Sequence, residues 1–261
     1  MARRPLQIVP LLDIVDETHD TRTYRFRADL DAKPGQFVMV WIPHHDELPM
    51  ALSYLGDPKG ITIREYGDAT EAFALESRRG DLVGIRGPYG NNFAIEGKRA
   101  LAVAGGVGMA SVIAAIEAYA DAGIETETAF GARTRGELTF LDRAKRRGHV
   151  HVATDDGSFG YHGFVTEVAQ KLFDGGGFDM VLTCGPETMM KKVVDAANER
   201  GIPVQASLER YMKCGIGICD ACAFDESLVC YDGPIFWGEE LAKSRDFGRW
   251  RRNISGQRVK A

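Results

Sequence analysis

Short segments of alternating hydrophobic and polar residues fill the N-terminal third of the chain. They are rich in β-branched and aromatic side chains and are separated by Pro, Gly and Asp. This pattern predicts strands, and their close spacing predicts a small antiparallel barrel or sandwich. The expected strands are Gln7–Val15, Thr21–Arg27, Gln36–Trp41, Leu52–Leu55, Gly60–Glu65 and Gly80–Ile85, and one helix is expected over Ala69–Ser77.

The pattern changes near Lys98. From there, compact apolar runs alternate with segments whose apolar residues recur at helical spacing. Alternating strands and helices imply a parallel sheet that carries helices on both faces. The expected strands are Arg99–Ala104, Glu125–Gly131, Val150–Thr154, Met180–Cys184 and Val204–Leu208, and the expected helices are Ala110–Ala122, Thr166–Phe173 and Glu187–Arg200.

These patterns predict a multi-domain protein of the β plus α/β class. We expect an antiparallel β-barrel domain over 1–96, a parallel α/β domain over 97–208 and a small C-terminal unit over 209–261. The length of 261 residues and the hydrophobic content of 44% suit two domains with an appendage.

Charge and hydropathy argue against two kinds of partner. The formal charge is −5, whereas nucleic-acid binding requires a basic face. No apolar run approaches the length of a membrane-spanning helix. Pro10 and Asp13 interrupt the apolar stretch at the start, so we do not expect a signal peptide. These observations favour a cytoplasmic protein.

Three of the five cysteines are crowded into the segment CGIGICDAC, which begins at residue 214. Cytoplasmic thiols stay reduced, so clustered cysteines there usually bind metal or carry out redox chemistry. The spacing C-x4-C-x2-C, with a fourth cysteine further on, matches plant-type [2Fe–2S] ligands. Gly215 and Gly217 allow the backbone to aim N–H groups at the sulfurs. Zinc and a redox disulfide are the alternatives, although zinc sites favour two C-x2-C pairs. The candidate ligands are Cys214, Cys219, Cys222 and Cys230.

A glycine-rich turn follows the first predicted strand of the α/β domain and opens its first helix. Glycines let a backbone approach a pyrophosphate, and a helix N-terminus offers unpaired N–H groups. The spacing G-G-x-G-x-A departs from the usual fingerprint, so a purely structural turn is the alternative. The candidate nucleotide contacts in this turn are Gly105, Gly106, Gly108 and Met109.

Two further segments, at 154–160 and 184–189, follow predicted strands of the same sheet. Open α/β sheets bind ligands at the carboxyl ends of their strands, so these two segments and the glycine-rich turn indicate one shared crevice. Cys184 is either a core residue or a neighbour of a nicotinamide. The two aspartates form either a ligand contact or a solvated turn. The candidate residues are Asp155, Asp156, Gly157, Cys184, Gly185, Pro186 and Met189.

With these motifs in this order, the chain resembles the ferredoxin–NADP reductase superfamily over residues 5–210, and its tail resembles the electron-transfer subunits of dihydroorotate dehydrogenase type B. The resemblance implies a flavin-binding barrel, a Rossmann-like nicotinamide domain and a C-terminal [2Fe–2S] domain. The implied cofactors are FAD, NAD and the cluster. The motifs that carry it are GPYGNNF at 87–93, the glycine turn at 105–110, the segments at 154–160 and 184–189, and the cluster stretches at 209–219 and 230–236.

The flavin motif departs from the family pattern. The superfamily carries R-P-x-S, whereas this chain has LPMALS at 48–53. On the register set by the proline, Leu48 replaces the arginine; an alternative register aligns Ser53 with the serine. Arg64 is the candidate for the missing charge, and residues 67–70 resemble the family's pyrophosphate turn. The candidate flavin contacts are Pro49, Met50, Ala51, Leu52, Ser53, Thr62, Ile63, Arg64, Gly67, Ala69 and Thr70.

Together, the implied cofactors convert two-electron transfer into one-electron transfer. Nicotinamide exchanges electrons in pairs and a cluster one at a time, whereas a flavin does both and therefore belongs between them. The resemblance implies a partner, the FMN-containing catalytic subunit of dihydroorotate dehydrogenase, in a 2:2 complex that oxidises dihydroorotate to orotate with NAD⁺. No side chain of this chain is predicted to be catalytic in itself.

Other functions fit the same motifs. One is a subunit of an NADPH-dependent ferredoxin oxidoreductase, sulfide dehydrogenase, hydrogenase or sulfite reductase. Others are a redox sensor without activity and a zinc-stabilised binding module. Arg133 and Arg135 are either surface charges or contacts to the 2′-phosphate of NADP. The candidate partner contacts are Ile216, Ile218, Phe236 and Trp237, with packing of a small domain as the alternative. The basic end over residues 245–260 is either solvated or a docking surface.

Overall fold

Six antiparallel strands close into a barrel at the N-terminal end of the computed structural model, which describes residues 5–260. Residues 1–4 and 261, at the ends of the first and third predicted domains, lie outside the described part. The elements are β1 (Gln7–Thr18), β2 (Thr21–Phe26), β3 (Phe37–Trp41), β4 (Glu47–Tyr54), β5 (Lys59–Arg64), α1 (Asp68–Glu76) and β6 (Leu82–Tyr89). Around the barrel the order is β1-β2-β5-β4-β3-β6, which confirms the expected antiparallel barrel.

The barrel wall opens between β4 and β5. Pairing of these strands runs from Tyr54 to Leu52 and ends there, whereas residues 47–51 of β4 pair with β3. Pro49 has no N–H to donate, so it suits a stretch of strand that has lost one of its two partners. The sequence predicts that this strand begins at Leu52, but β4 begins earlier, at Glu47.

Parallel strands form the second domain, as expected. The strands are β7 (Arg99–Gly105), β8 (Glu125–Ala132), β9 (His149–Thr154), β10 (Tyr161–His162), β11 (Met180–Cys184) and β12 (Val204–Ser207). The helices are α2 (Met109–Asp121), α3 (Leu141–Lys145), α4 (Val165–Gly175) and α5 (Glu187–Glu199). Apolar side chains of α2 fill a core on one face of the sheet, and those of α4 and α5 fill a core on the other.

The C-terminal unit shares the sheet of the second domain. Its elements are β13 (Ala223–Phe224), β14 (Ser227–Leu228), β15 (Ile235–Trp237), α6 (Gly238–Lys243), β16 (Trp250–Arg252) and β17 (Arg258–Lys260). Strand β15 pairs antiparallel with β12 and gives the sheet order β10-β9-β8-β7-β11-β12-β15. Cys222 and Cys230 belong to the same apolar core as Phe37 of the barrel. The third unit is thus packed against both other units.

Asn91 in the link between barrel and sheet holds the C-terminal unit in place. Its side-chain amide donates to the carbonyls of Asp232 and Ile235 at 2.9 and 2.7 Å, and its carbonyl accepts from the N–H of Ile235 at 2.9 Å. Gly90 lies so close to this segment that a Cβ would stand 2.5 Å from Pro234. Within residues 5–260, none of the helices combines the length and the apolarity that a bilayer crossing needs.

Candidate functional site

A cavity of about 400 Å³ lies where the barrel, the parallel sheet and the C-terminal unit meet. This volume falls within the roughly 300–1,000 Å³ of small-molecule sites. The cavity is lined by Gly35, Phe37, Pro49, Met50, Ala51, Thr62, Ile63, Arg64, Tyr66, Thr70, Val107, Ala110, Ser111, Ser207, Leu208, Glu209, Arg210, Met212 and Pro234.

The barrel side of the cavity follows from the opening between β4 and β5. Residues 49–51 and 62–64 lie on either side of that opening and line the cavity. Arg64 donates to Asp20 at 2.8 Å while it lines the cavity. Burial opposes ionisation of Asp20, but hydrogen bonds from Thr18, Thr21 and Arg64 outweigh it and lower the pKa of Asp20. The guanidinium is thus held in place as a positive charge beside the cavity.

Two of the predicted flavin contacts have side chains elsewhere. Leu52 packs in the barrel core. Ser53 is fully buried and its hydroxyl lies 2.7 Å from that of Thr62, so it meets the cavity only through Thr62. Alternation along the strand places Leu52 opposite Ala51, which lines the cavity. The register shift between Leu52 and Tyr54 interrupts the alternation at Ser53. Contact of these two residues with a flavin stays a prediction. Leu48, at the position of the family's arginine, also packs against the barrel core.

The start of helix α1 closes one end of the cavity. Gly67 precedes the helix at φ = 90°, a conformation that suits glycine, and no side chain caps the helix. The Thr70 hydroxyl accepts from the N–H of Tyr66 at 2.8 Å and donates to the carbonyl of Gly67 at 3.0 Å. Thr70 and Tyr66 line the cavity, with Ala69 beside them in the sequence. The uncapped helix start beside Arg64 suits a phosphate group.

The predicted nicotinamide-side turns meet at one edge of the sheet. Strands β7 and β11 are parallel neighbours, which brings the glycine turn beside Gly185 and Pro186. A Cβ on Gly108 would stand 2.5 Å from the Cys184 carbonyl, and one on Gly105 would stand 2.7 Å from the Met189 sulfur. These glycines are therefore required for packing of the two turns, in addition to any role in binding a nucleotide.

Cys184 lies just behind the cavity. It is fully buried, and burial raises the pKa of its thiol to about 12 despite hydrogen bonds with Ser111 and Ser207. Both serines line the cavity, so Cys184 supports the cavity wall as a neutral thiol. The side chain of Met109 is likewise fully buried in the core.

Asp155, Asp156 and Gly157 lie further along the same edge, after β9, and are exposed. One strand, β8, lies between β7 and β9 in the sheet order. The Asp156 carboxylate accepts from the N–H and hydroxyl of Ser158, which folds the turn on itself. The adjoining turn carries Arg133, which pairs with Glu137.

Glu209 brings a carboxylate to the cavity from the C-terminal unit. The residue is exposed at the wall of the cavity, and the surrounding protein atoms desolvate its carboxylate. This desolvation raises the pKa of Glu209 against the attraction of Arg210. Arg210 itself is buried and donates to both carboxylate oxygens of Glu187, at 2.6 and 3.0 Å.

Backbone N–H groups surround the sulfurs of the cysteine loop. The N–H groups of Ile216 and Ile218 donate to the Cys214 sulfur at 3.4 Å, and that of Gly217 donates to the Cys230 sulfur at 3.2 Å. Gly215 and Gly217 have φ values of 69° and 77°, which glycine allows. Hydrogen bonds of this kind are typical of iron–sulfur loops.

The four sulfurs form two pairs. Cys214 interacts with Cys219, and Cys230 interacts with Cys222. Among residues 5–260, no three His, Cys, Asp or Glu side chains are placed to hold a single metal ion. A cluster of two irons is held by four thiolates, two for each iron, and the two pairs of cysteines match that requirement.

The electrostatics of the loop favour a thiolate at Cys214. Burial opposes ionisation of this thiol, but the N–H groups of Ile216, Ile218 and Cys219 outweigh it and lower the pKa of Cys214 to about 6. Burial and the neighbouring Cys222 raise the pKa of Cys230. A bound iron would replace the proton at each sulfur.

The cysteine loop is fixed to the barrel. Arg86 of β6 donates to the Cys214 carbonyl at 2.8 Å. Its Nε and Nη2 atoms also donate to the two carboxylate oxygens of Glu47. Gly215 lies against Met39 of β3, where a Cβ would stand 2.8 Å from the methionine side chain. Met212, two residues before Cys214, lines the cavity. The cluster site and the cavity are therefore direct neighbours.

Sequence reasoning missed several residues that line the cavity. They include Tyr66, Ser111, Ser207 and Glu209. Ser111 and Glu209 lie within or directly beside segments that the motifs identify, so their polar side chains were a usable signal. Phe37 and Pro234 reach the cavity only through the packing of distant units, which no local pattern reveals.

Comparison with solved structures defines the class of protein. The chain is similar to a chain of the NADH-dependent reduced ferredoxin–NADP oxidoreductase, with a TM-score of 0.81, 30% identity and coverage of 92% of this chain and 91% of that one. It shares the fold of the ferredoxin reductase of carbazole 1,9a-dioxygenase, with a TM-score of 0.69, 18% identity and coverage of 77% and 68%. Fold and site together define a flavin- and nicotinamide-dependent reductase that carries an iron–sulfur domain.

Comparison with curated relatives defines the family. The model of the iron–sulfur cluster binding domain of dihydroorotate dehydrogenase B matches residues 209–242. The probable dihydroorotate dehydrogenase B (NAD⁺) electron transfer subunit of Methanocaldococcus jannaschii is 46% identical over 97% of each chain. That of Thermoplasma acidophilum is 43% identical over 94% of each chain. The chain belongs to the family of dihydroorotate dehydrogenase B electron-transfer subunits, and it is an oxidoreductase subunit whose cofactors are FAD, NAD and an iron–sulfur cluster.

Proposed function

We propose that this chain transfers electrons between NAD(H) and the FMN-containing catalytic subunit of a dihydroorotate dehydrogenase. The route passes through FAD and the [2Fe–2S] cluster, and the overall reaction oxidises dihydroorotate to orotate with NAD⁺. We propose a 2:2 heterotetramer of the two subunits in the cytoplasm, where reducing conditions keep the four cluster thiols available.

The observation that carries this proposal is the composition of the cavity wall. One cavity is bounded by the barrel opening, by the glycine turn of the sheet and by the segment that leads to Cys214. A flavin bound there would be adjacent to both a nicotinamide and the cluster. Since a flavin exchanges electrons singly or in pairs, this placement joins hydride transfer to one-electron transfer.

The residues of the chain bind and orient the groups that react. Arg64 and the start of α1 provide positive charge and free N–H groups for the pyrophosphate of FAD. Gly105, Gly106 and Gly185 allow a nucleotide to approach the edge of the sheet. Met189 and Pro186 pack beneath that edge, next to Gly105.

One side of the cysteine loop is exposed at the protein surface. Cys219 is exposed, as are Ile216, Ile218 and Tyr231 around it, with Ile218 exposed to 77%. Exposed apolar side chains grouped around a redox centre suit a protein contact. We assign this apolar group as the centre of the interface with the catalytic subunit.

The test is purification of the native protein, without oxygen, together with its stoichiometric companion. We expect an FMN protein, and we expect the pair to reduce NAD⁺ when dihydroorotate is added. Each subunit alone should fail in this reaction, while the present chain alone should still reduce a dye with NADH. A companion that lacks FMN, or a pair that does not turn over dihydroorotate, would refute the proposal.

A second candidate function follows from the similarity to the NADH-dependent reduced ferredoxin–NADP oxidoreductase, which has a TM-score of 0.81. On that hypothesis the companion would be the other subunit of a ferredoxin-dependent oxidoreductase. The same purification separates the two candidates, because only the second requires ferredoxin as the electron donor or acceptor.

A further inference from the structure

We infer that the basic C-terminal hairpin formed by β16 and β17 is a docking element that steers an acidic surface of the catalytic subunit toward the cluster. This inference rests on the proposed function, since it assumes that the cluster passes electrons to that subunit. It adds the charge of the partner surface and the part of this chain that recognises it.

The hairpin is held beside the cluster loop. Arg252 lies 3.7 Å from the carboxylate of Asp220, the residue after Cys219. At the base of the hairpin, Phe247 is buried to 1% exposure, and the N–H of Gly248 donates to Glu187 at 2.7 Å. The hairpin therefore stands at a fixed position next to the exposed side of the cluster site.

The charge of this segment is opposite to that of the chain. Residues 247–261 contain no aspartate or glutamate, whereas the whole chain has a formal charge of −5. Arg252 and Arg258 are paired with Asp220 and Asp246. Among the described residues we find no ion-pair partner for the remaining three cations, and all three are exposed. These three are Arg249, Arg251 and Lys260.

Structural stability does not explain this concentration of charge. Arg252 and Arg258 are directly opposite each other across the hairpin, and like charges in that position are destabilising. Asp220 and Asp246 offset that repulsion, but the three exposed cations have no ion-pair partner among the described residues. An acidic partner would supply the opposite charge for them.

The position matches the anatomy of a protein interface. An apolar centre is formed by Ile216, Ile218 and Tyr231 around the cluster, and the hairpin lies at its edge. Charged residues at the rim of an interface act mainly on the rate of association, because they steer the encounter. The catalytic subunit should therefore present acidic side chains beside its own apolar contact.

The test measures the association rate of the full chain, with its cofactors, and the separately purified catalytic subunit as ionic strength is raised. The variant Arg249→Gln/Arg251→Gln/Lys260→Gln removes the three unpaired charges. We expect association to slow by roughly three- to tenfold at low ionic strength, with a weaker dependence on salt. A variant with Arg249→Lys and Arg251→Lys keeps the charge and should associate as fast as the unmodified protein.

The matched control, Arg79→Gln/Arg146→Gln/Lys192→Gln, removes the same number of charges from exposed positions away from the cluster. NADH-dependent dye reduction should be unchanged in all variants, which shows that they fold and bind cofactors. Equal association rates for the hairpin variant and the control would overturn the inference. A complete absence of electron transfer between the unmodified proteins would instead overturn the proposed function.

Discussion

The cysteine loop and the flavin cavity are neighbours in this protein, but they are built in opposite ways. The cluster ligands lie within residues 214–230, and their hydrogen bonds come mainly from the same loop. The cavity is lined by residues from Gly35 to Pro234, contributed by all three units. The cluster site therefore depends on one local segment of the sequence, whereas the cavity depends on how the three units pack together.

This difference explains why one motif is intact and the other altered. A metal cluster needs four covalent ligands, so each cysteine is indispensable and the spacing stays readable. A cavity can obtain the same charge from another strand: Arg64 lines this cavity, whereas Leu48 packs against the barrel core. A missing motif residue in a packed cavity is therefore weaker evidence against binding than a missing ligand in a loop.

The largest effect should come from Cys222→Ser, which tests the local site. Cys222 is buried to 2% exposure and is paired with Cys230, so its replacement removes half of the ligands of one iron. We expect the loss of the visible absorbance, iron and sulfide of the cluster and of electron transfer to the catalytic subunit. Dye reduction by NADH should persist, because it requires only the cavity.

Cys184→Ser is the matched control for this experiment, because Cys184 is also buried and free but lies in the cavity wall. It should retain iron and sulfide in full. Loss of iron from Cys184→Ser, or its retention by Cys222→Ser, would contradict the assignment of the ligands.

The next effect should come from Arg64→Gln, which tests the distributed site. A hydrogen bond to a charged group contributes about 1.5–3 kcal/mol, so we expect the Kd for FAD to rise roughly tenfold to a hundredfold. Titration of the flavin-free protein with FAD measures this. Arg27→Gln, which removes an exposed arginine that pairs with Asp57 on the same barrel, should leave the Kd unchanged.

Leu48→Arg in the Arg64→Gln background makes the comparison sharper. If position 48 still served the flavin, restoring the family's arginine would restore affinity. Leu48 packs against the barrel core, so we expect no rescue and a loss of stability. Full rescue would show that an arginine at position 48 can still serve the flavin, and it would contradict the assignment of this role to Arg64.

The sequence predicts β7 and β11 well because their apolar runs are almost continuous and buried. It fails at β4, since Glu47 and Pro49 interrupt the pattern of a strand that has only one partner there. It also fails at α3 and α6, which have five and six residues and too few turns for a periodic signal. The C-terminal unit joins the sheet because Ile235–Trp237 pairs with β12. These two segments are far apart in the sequence, so no local pattern predicts that they pair.

A smaller effect, on stability, should come from Asn91→Ala, which tests how the two sites are joined. Asn91 makes three side-chain hydrogen bonds to residues 232–235. At about 1 kcal/mol each, their loss should lower the free energy of unfolding by about 2–3 kcal/mol. Asn92→Ala removes one local bond to Phe93 and should cost about 1 kcal/mol or less. Denaturant unfolding of both variants measures the difference, and equal losses would contradict the role of Asn91.

The smallest effect should be the pH dependence that Glu209 gives to the cavity. Desolvation raises the pKa of Glu209 above the ordinary value of 4.5, so the folded protein holds this proton at pH values where the unfolded chain has released it. The folded state is then stabilised below the ordinary pKa, and that contribution is lost as the pH rises through the raised value. Glu209→Gln lacks this dependence. Its Tm should exceed that of the unmodified protein at neutral pH by a margin that shrinks toward pH 4.5. A margin that stays constant over that interval would show that Glu209 has an ordinary pKa, and that the cavity places this carboxylate in bulk-like water.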